Sequence, residues 1–230
     1  PSETVARELL REVMLNTENT GNAIIATTFA SNIARLKSII EFGKKLDRKI
    51  LFLGRSLLKY SKSAEILNLV DFSKDVEIIG YGNKIKRRLT TLKKEDRSNY
   101  LIVCTGSQGE KTSVLNKILT GFYPFDLTKD DHVIFSCKTI PVEPNISNRR
   151  KMEEKLLKKR VRIFRDVHCS GHGGTEDLRD LIKMLNPQYI IPSHGDSSKT
   201  MHAVPLAESM GYKLNKTIHI MKNGEKLDLI

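Results

Sequence analysis

Short runs of consecutive apolar residues alternate along this chain with longer stretches whose apolar residues recur every three or four positions. The runs are "NAIIATTF" (22–29), "KILFLG" (49–54), "VEIIG" (76–80), "NYLIVCTG" (99–106), "DHVIFSC" (131–137), "VRIFRDV" (161–167) and "QYIIPSHG" (188–195). Runs of this length read as strands buried on both faces, and the periodic stretches between them read as helices. The opening "SETVARELLREVML" is a helix that Ser2 can cap, with Val5, Leu9, Leu10 and Val13 as its apolar stripe. A second helix starts at Ser31 or Asn32 and carries Ile33, Leu36, Ile39 and Ile40 inward. Further helices are expected near 59–70, over 111–121, 148–160 and 175–185, and over 201–211 despite Pro205. At the end, Asn223-Gly224 between two apolar runs predicts a hairpin. The alternation specifies an α/β protein whose mostly parallel sheet is flanked by helices. In such a sheet the chemistry sits in the loops that leave the carboxyl ends of the strands. Those exits are "TTFASN", "GRS", "TGSQGE", "HCSGHGG" and "PSHGD", each rich in Ser, Thr, Gly or His.

Charge narrows the partner. The formal net charge is +12, and two segments account for it. Residues 82–98 carry seven Lys/Arg against two acids, and residues 149–165 carry nine against two. Basic segments this concentrated suit a polyanion such as a nucleic acid. Solvated helix faces are the other use of such runs. Trp is absent and aromatics make up 6%, so an aromatic platform for base stacking is not expected. At 39% hydrophobic and 29% charged the chain should be globular, and no apolar run is long enough to span a bilayer. No signal peptide is expected before the first helix pattern. The three cysteines, Cys104, Cys137 and Cys169, are far apart and odd in number. That argues for a reducing, cytoplasmic setting and excludes a four-cysteine zinc site.

Three motifs invite chemistry. In "VHCSGHGG", His168 and His172 stand four apart, the spacing that puts two metal ligands on one helix face. Cys169 rather than Glu follows the first histidine, and Gly171, Gly173 and Gly174 oppose a continuous helix, so the spacing alone is a weak metal signal. "TGSQGEKTS" is not a P-loop, because Glu110 rather than Gly precedes Lys111. It is still a glycine-rich strand exit whose N–H groups could face a phosphodiester, or simply a tight turn. "IIPSHGD" places His194 directly after an apolar run, beside Gly195 and Asp196. His132, His202 and His219 have no such company and read as structural. His168, His172, His194 and Asp196 together would barely fill one tetrahedral zinc.

In their order, "TTFASNIARL", "GRS", "TGSQGE", "HCSGHGG", "PSHGD" and "MKNGE" resemble the β-CASP family of metallo-β-lactamase-fold nucleases, and within it ribonuclease J and its archaeal relatives. The resemblance covers nearly the whole chain and is weakest over 56–98. It implies a β-CASP domain with its leading helix over 1–160, and from 161 to 230 the return of the chain into a metallo-β-lactamase fold. It implies a nuclease that cleaves RNA with two zinc ions, in mRNA or rRNA processing or 5′-to-3′ decay. Pre-mRNA 3′-end endonucleases belong to the same family. The resemblance makes His172 a phosphate holder or proton donor, His168 and Ser170 further phosphate contacts, and His194 the zinc ligand. Family members acting on DNA tend to carry Val at the position of His194, so its histidine implies RNA. Ser31, Arg55, Ser56, Gly106, Ser107, Gln108, Gly109 and Glu110 would grip the RNA backbone. The family's "HxHxDH" cluster is not in this sequence. By the resemblance it belongs to an N-terminal half, on the same polypeptide or a separate chain. The chain alone is then expected to bind zinc weakly or not at all and to be inactive. A non-catalytic RNA-binding or scaffold subunit that pairs with a separate lactamase-fold chain is one alternative, and an mRNA 3′-end processing endonuclease is another. A homodimer is possible, and no membrane partner is expected.

Overall fold

The computed structural model of the chain describes residues 3–169 and 173–228. They form two compact units that part after Cys169. The first holds one six-stranded sheet made of β1 (Ile24–Thr27), β2 (Lys49–Leu53), β3 (Val76–Ile79), β4 (Tyr100–Cys104), β5 (His132–Phe135) and β6 (Arg162–Phe164). The strand order is β3-β2-β4-β1-β5-β6, and every neighbouring pair is parallel. Six helices accompany it: α1 (Glu3–Leu15), α2 (Ile33–Lys45), α3 (Arg55–Ile66), α4 (Gly82–Leu92), α5 (Val114–Leu119) and α6 (Asn145–Lys158).

Connectivity decides which helix covers which face. From β1 through α2 to β2, and through α3 to β3, the chain steps toward one edge of the sheet. From β3 through α4, α5 and α6 it steps back toward the other. Parallel crossovers are right-handed, so the two groups of helices must lie on opposite faces. The core shows this division. Leu36, Ile39 and Phe42 of α2 and Leu57 of α3 pack with Ile24, Phe52, Leu101 and Val103. Ile85 and Leu89 of α4, Leu115 and Ile118 of α5, and Met152 and Leu156 of α6 pack with Ile25, Leu51, Ile102 and Val133. Alternate residues of β4 thus serve opposite layers, as the two-residue period of a strand requires.

Three local expectations are corrected. The buried stripe of α1 is Ala6, Leu10 and Met14, while Val5 and Leu9 face out. Both registers satisfy helical periodicity, and the contact with α2 selects the one that puts Met14 inside. The helix expected near 59–70 begins earlier, at Arg55, straight after the glycine that ends β2. Residues 82–92, where no helix is expected from the sequence, form α4, with Ile85, Leu89 and Leu92 at helical spacing beneath its cations.

The second unit contains α7 (Thr175–Leu185), α8 (Ser197–Thr200) and α9 (Ala203–Ser209). Val204, Ala207 and Ile218 make its small core, joined by Ile190, Tyr212 and Ile220. The strand expected at 188–195 contributes one isolated bridge, Ile190 to Ile218. The hairpin expected around Asn223-Gly224 does not form a ladder among the described residues. The turn itself is made, with Gly224 at φ +86° and the Glu225 N–H donating to the Lys222 carbonyl at 3.1 Å. The run before the turn spends its backbone on residue 190 instead, with the Ile190 N–H donating to the Thr217 carbonyl at 2.8 Å and the His219 N–H to the Ile190 carbonyl at 3.0 Å. Among the described residues no helix is long and apolar enough to cross a membrane.

Candidate nucleic-acid interface and active-site elements

β2 and β4 lie side by side but leave the sheet toward opposite faces, β2 into α3 and β4 into α5. Adjacent strands with opposed exits open a crevice at their carboxyl ends. A cleft of about 690 Å³ lies there, lined by Arg55, Ser56, Tyr81, Thr105, Glu110, Lys117 and Tyr123 among others. α3 and α4 both begin at this cleft, and neither has a side-chain cap on its N-terminus. Their first N–H groups therefore keep no side-chain acceptor and, with Arg55 and Lys117, favour an anion. Gly54 lets the walls meet: its φ is +142°, and a Cβ there would stand 2.7 Å from Thr105 Cγ2.

The "TGSQGE" loop after β4 is divided between this cleft and the interior. Glu110 is exposed at the cleft, whereas Gly106, Ser107, Gln108 and Gly109 are buried. The Gln108 side chain donates to the Lys138 carbonyl at 3.0 Å and accepts from the Ile140 N–H at 2.8 Å. Arg149 of α6 donates to the Ser107 carbonyl at 2.7 Å and to Glu153 at 2.8 Å. The Arg149 guanidinium also lies 3.2 Å from the centroid of the Phe135 ring. Ser31 is exposed in the loop after β1 and does not line the 690 Å³ cleft.

His168 follows the segment that continues β6. It is half-buried, and its Nδ1 is buried with no hydrogen-bond partner. Burial, and then the charges of Arg35 and Lys138, hold it below the ordinary imidazole range, so the ring is neutral near pH 7. A neutral imidazole can accept a hydrogen bond at one nitrogen and donate one at the other. Ser170 and His172 lie outside the described residues. Cys104 and Cys137 are buried, and burial pushes the Cys104 thiol up to about 12, which makes it chemically inert. His132 is structural as expected: fully buried and edge-on to Phe164 at 5.1 Å.

His194 belongs to the second unit, where it is exposed with φ +69°. Asp196 beside it caps α8, accepting from Ser198 Oγ at 2.5 Å and the Lys199 N–H at 3.2 Å. Among the described residues no three of His, Cys, Asp and Glu gather where they could hold a metal ion. Tetrahedral zinc takes four ligands. The described residues therefore do not make up a zinc centre by themselves, and His194 is one candidate donor.

Sequence reasoning missed Tyr81, which stands in a strand exit, "GYGN", of the same kind as those singled out. It also missed Arg35, and there a single arginine in the first turn of a helix gives no sign that it will be buried. Arg35 has 0% exposure and bonds Glu3, Ser136 and Val167.

Residues 21–152 match the family model described as ribonuclease J, beta-CASP domain, and residues 158–221 match that of the Zn-dependent metallo-hydrolase RNA specificity domain. Ribonuclease J of Methanocaldococcus jannaschii is 40% identical over 227 residues, which cover 99% of this chain and 51% of that protein. Ribonuclease J of Pyrococcus abyssi is 39% identical over 229 residues, 100% of this chain and 50% of that protein. Ribonuclease J of Thermus thermophilus is 33% identical, with 97% of this chain and 37% of that protein aligned. The chain thus spans about half the length of the two archaeal relatives. The parallel helix-flanked sheet, its polar carboxyl edge and these two family matches agree: the chain belongs to the ribonuclease J family of β-CASP nucleases.

Proposed function

We propose that this chain is the RNA-gripping half of a zinc-dependent ribonuclease and supplies part of its active site. The observation that carries this reading is the neutral imidazole of His168, with a buried, unpartnered Nδ1, at the carboxyl edge of a family β-CASP sheet. His168 and Ser170 contact the phosphate. His172 holds the scissile phosphate or protonates the leaving oxygen, a role an imidazole can fill near neutral pH. Arg55, Ser56 and the uncapped ends of α3 and α4 take the RNA backbone at the cleft, with Glu110 at its rim and Ser31 on the neighbouring exit. Gly106, Ser107, Gln108 and Gly109 act by shaping the loop, since Gln108 spends its amide on residues 138 and 140.

RNA as the substrate gains support from the helix layers. The helices of the two basic segments, α4 and α6, lie on the same face of the sheet, because they share one core cluster. Zinc, when bound, would supply Lewis-acid chemistry, with His194 as the ligand from this chain and the others from the part of the relatives that this sequence does not span. The exposed apolar residues Leu178, Leu181, Met184 and Leu185 of α7 support such a half, since they leave an apolar helix face uncovered. Buried unpaired thiols support a cytoplasmic setting.

His172→Ala in the complete enzyme, assembled from one chain or two, tests the assignment. Cleavage of a 5′-labelled RNA should be lost while RNA binding stays within about twofold. Cleavage that persists would remove His172 from the chemistry.

A further inference from the structure

Arg35 stands in the first turn of α2 with its side chain wholly buried. Burying a guanidinium is costly unless its N–H groups find acceptors, so the fold must satisfy it. It does so with five bonds to three segments. Nε and Nη2 donate to the two carboxylate oxygens of Glu3 at 2.6 and 3.0 Å. Nη1 donates to the Ser136 carbonyl at 2.8 Å, to Ser136 Oγ at 2.7 Å and to the Val167 carbonyl at 3.1 Å. Ser136 Oγ in turn donates to the same Val167 carbonyl at 2.8 Å. The Val167 N–H donates to the Phe135 carbonyl at 3.3 Å.

Val167 is therefore held at both ends of its backbone, and the carbonyl that Arg35 and Ser136 share belongs to the peptide bond entering His168. Fixing that peptide plane fixes the direction in which the chain presents His168. An arginine needed only to tie α1 and α2 to the sheet could have ended on Glu3 and Ser136. The contact with the residue before His168 is the additional element.

We propose that Arg35 is a positioning residue for RNA cleavage: with Ser136 it clamps the Val167–His168 peptide and holds the imidazole in register with the phosphate. The proposal rests on the reading of His168 as a phosphate contact. A loosened clamp leaves the RNA-binding cleft intact but lets His168 wander from its working geometry, and misplacement of this kind acts on turnover.

The test uses the complete enzyme with 13C-labelled histidine. Ser136→Ala removes the shared hydroxyl while leaving the cation seated, and Arg35→Lys keeps the charge but loses the fork. Arg35→Gln removes the charge and can fail to fold, so the first two carry the test. We expect kcat to fall about tenfold in each, with KM for RNA within about twofold. The His168 ring signals should shift or broaden, while those of His132, His202 and His219 stay in place. A lowered melting temperature with kcat and the His168 signals unchanged would overturn the proposal and make Arg35 structural only. His168→Ala separates the two claims. If it cleaves normally, the reading of His168 falls and this proposal with it. If it is inactive while Ser136→Ala and Arg35→Lys behave as wild type, this proposal alone falls.

Discussion

A Cβ on Gly109 would stand 2.3 Å from the backbone nitrogen of Arg149 and 2.6 Å from its Cα. The loop after β4 and the backbone of α6 at residues 148–149 approach so closely that only a hydrogen fits between them. Gly109 also has φ +77°, a region that side chains avoid. Gly109→Ala should therefore cost about 3 kcal/mol or more, since neither backbone can yield without moving a helix. Gly121 has a similar φ of +74° with open space around it. Gly121→Ala should cost only the conformational strain, about 1–2 kcal/mol. Urea melts of the two variants check this, and equal costs would mean that the close approach is relieved cheaply.

His132 gives the fold a pH dependence that does not involve the site. Its ring is fully buried, neither nitrogen has a partner, and burial pushes its pKa down from 6.5 to about 4. The unfolded chain binds a proton there below about pH 6.5, and the folded one does so only near pH 4. Stability from this residue is complete above pH 6.5 and is lost as pH falls toward 4, by about 3 kcal/mol in all. Carboxylates titrate in part of the same window, so the comparison is with His132→Leu. The wild type should lose more stability than the variant between about pH 7 and 5. Parallel stability curves would show that His132 is reached by water.

The sheet was legible because buried parallel strands leave short runs of apolar residues: six of the seven such runs are its strands, and the seventh, 188–195, contributes only an isolated bridge. Strand exits followed from the same logic, which is why Arg55, Ser56 and Glu110 were found together at one cleft. What escaped depended on contacts between distant residues. The Gln108 amide turns inward because it meets residues 138 and 140, and no local pattern encodes that. Arg35 is spent on Glu3, Ser136 and Val167, with the last two more than a hundred positions away. The hairpin at Asn223-Gly224 shows the converse. Turn chemistry is local and was made, while the ladder needed partners that the described residues do not offer.

Because α4 and α6 share one layer, their cations should act together on RNA. Lys84, Lys86 and Arg87 are exposed on α4, and Arg150, Lys151 and Lys155 on α6. Each contact to single-stranded phosphate contributes about 0.7 to the slope of log affinity against log salt. Replacing Lys84, Lys86 and Arg87 with Gln should lower that slope by up to about 2, measured by fluorescence anisotropy between about 50 and 200 mM salt. The packing of Ile85, Leu89 and Leu92 is untouched, so the melting temperature should hold. A slope that does not change would mean that α4 faces solvent and the RNA runs elsewhere.

The last prediction concerns α7, where Leu181 is 47% and Met184 80% exposed and none of the helix's residues is buried. α7 touches α9, yet a helix with a strong apolar stripe and no buried residue is unusual in a folded protein. If the remaining half of the enzyme covers this face, Leu181→Lys and Met184→Lys should have opposite consequences in two settings. In this chain alone each should leave stability within about 0.5 kcal/mol and raise solubility, because an exposed apolar group is exchanged for a solvated charge. In the complete enzyme each should cost about 2–3 kcal/mol, since the same charge would be driven into an apolar contact. Thermal melts of both forms decide it. A complete enzyme indifferent to both substitutions would show that the other half docks elsewhere, and the apolar face of α7 would then belong to a different partner.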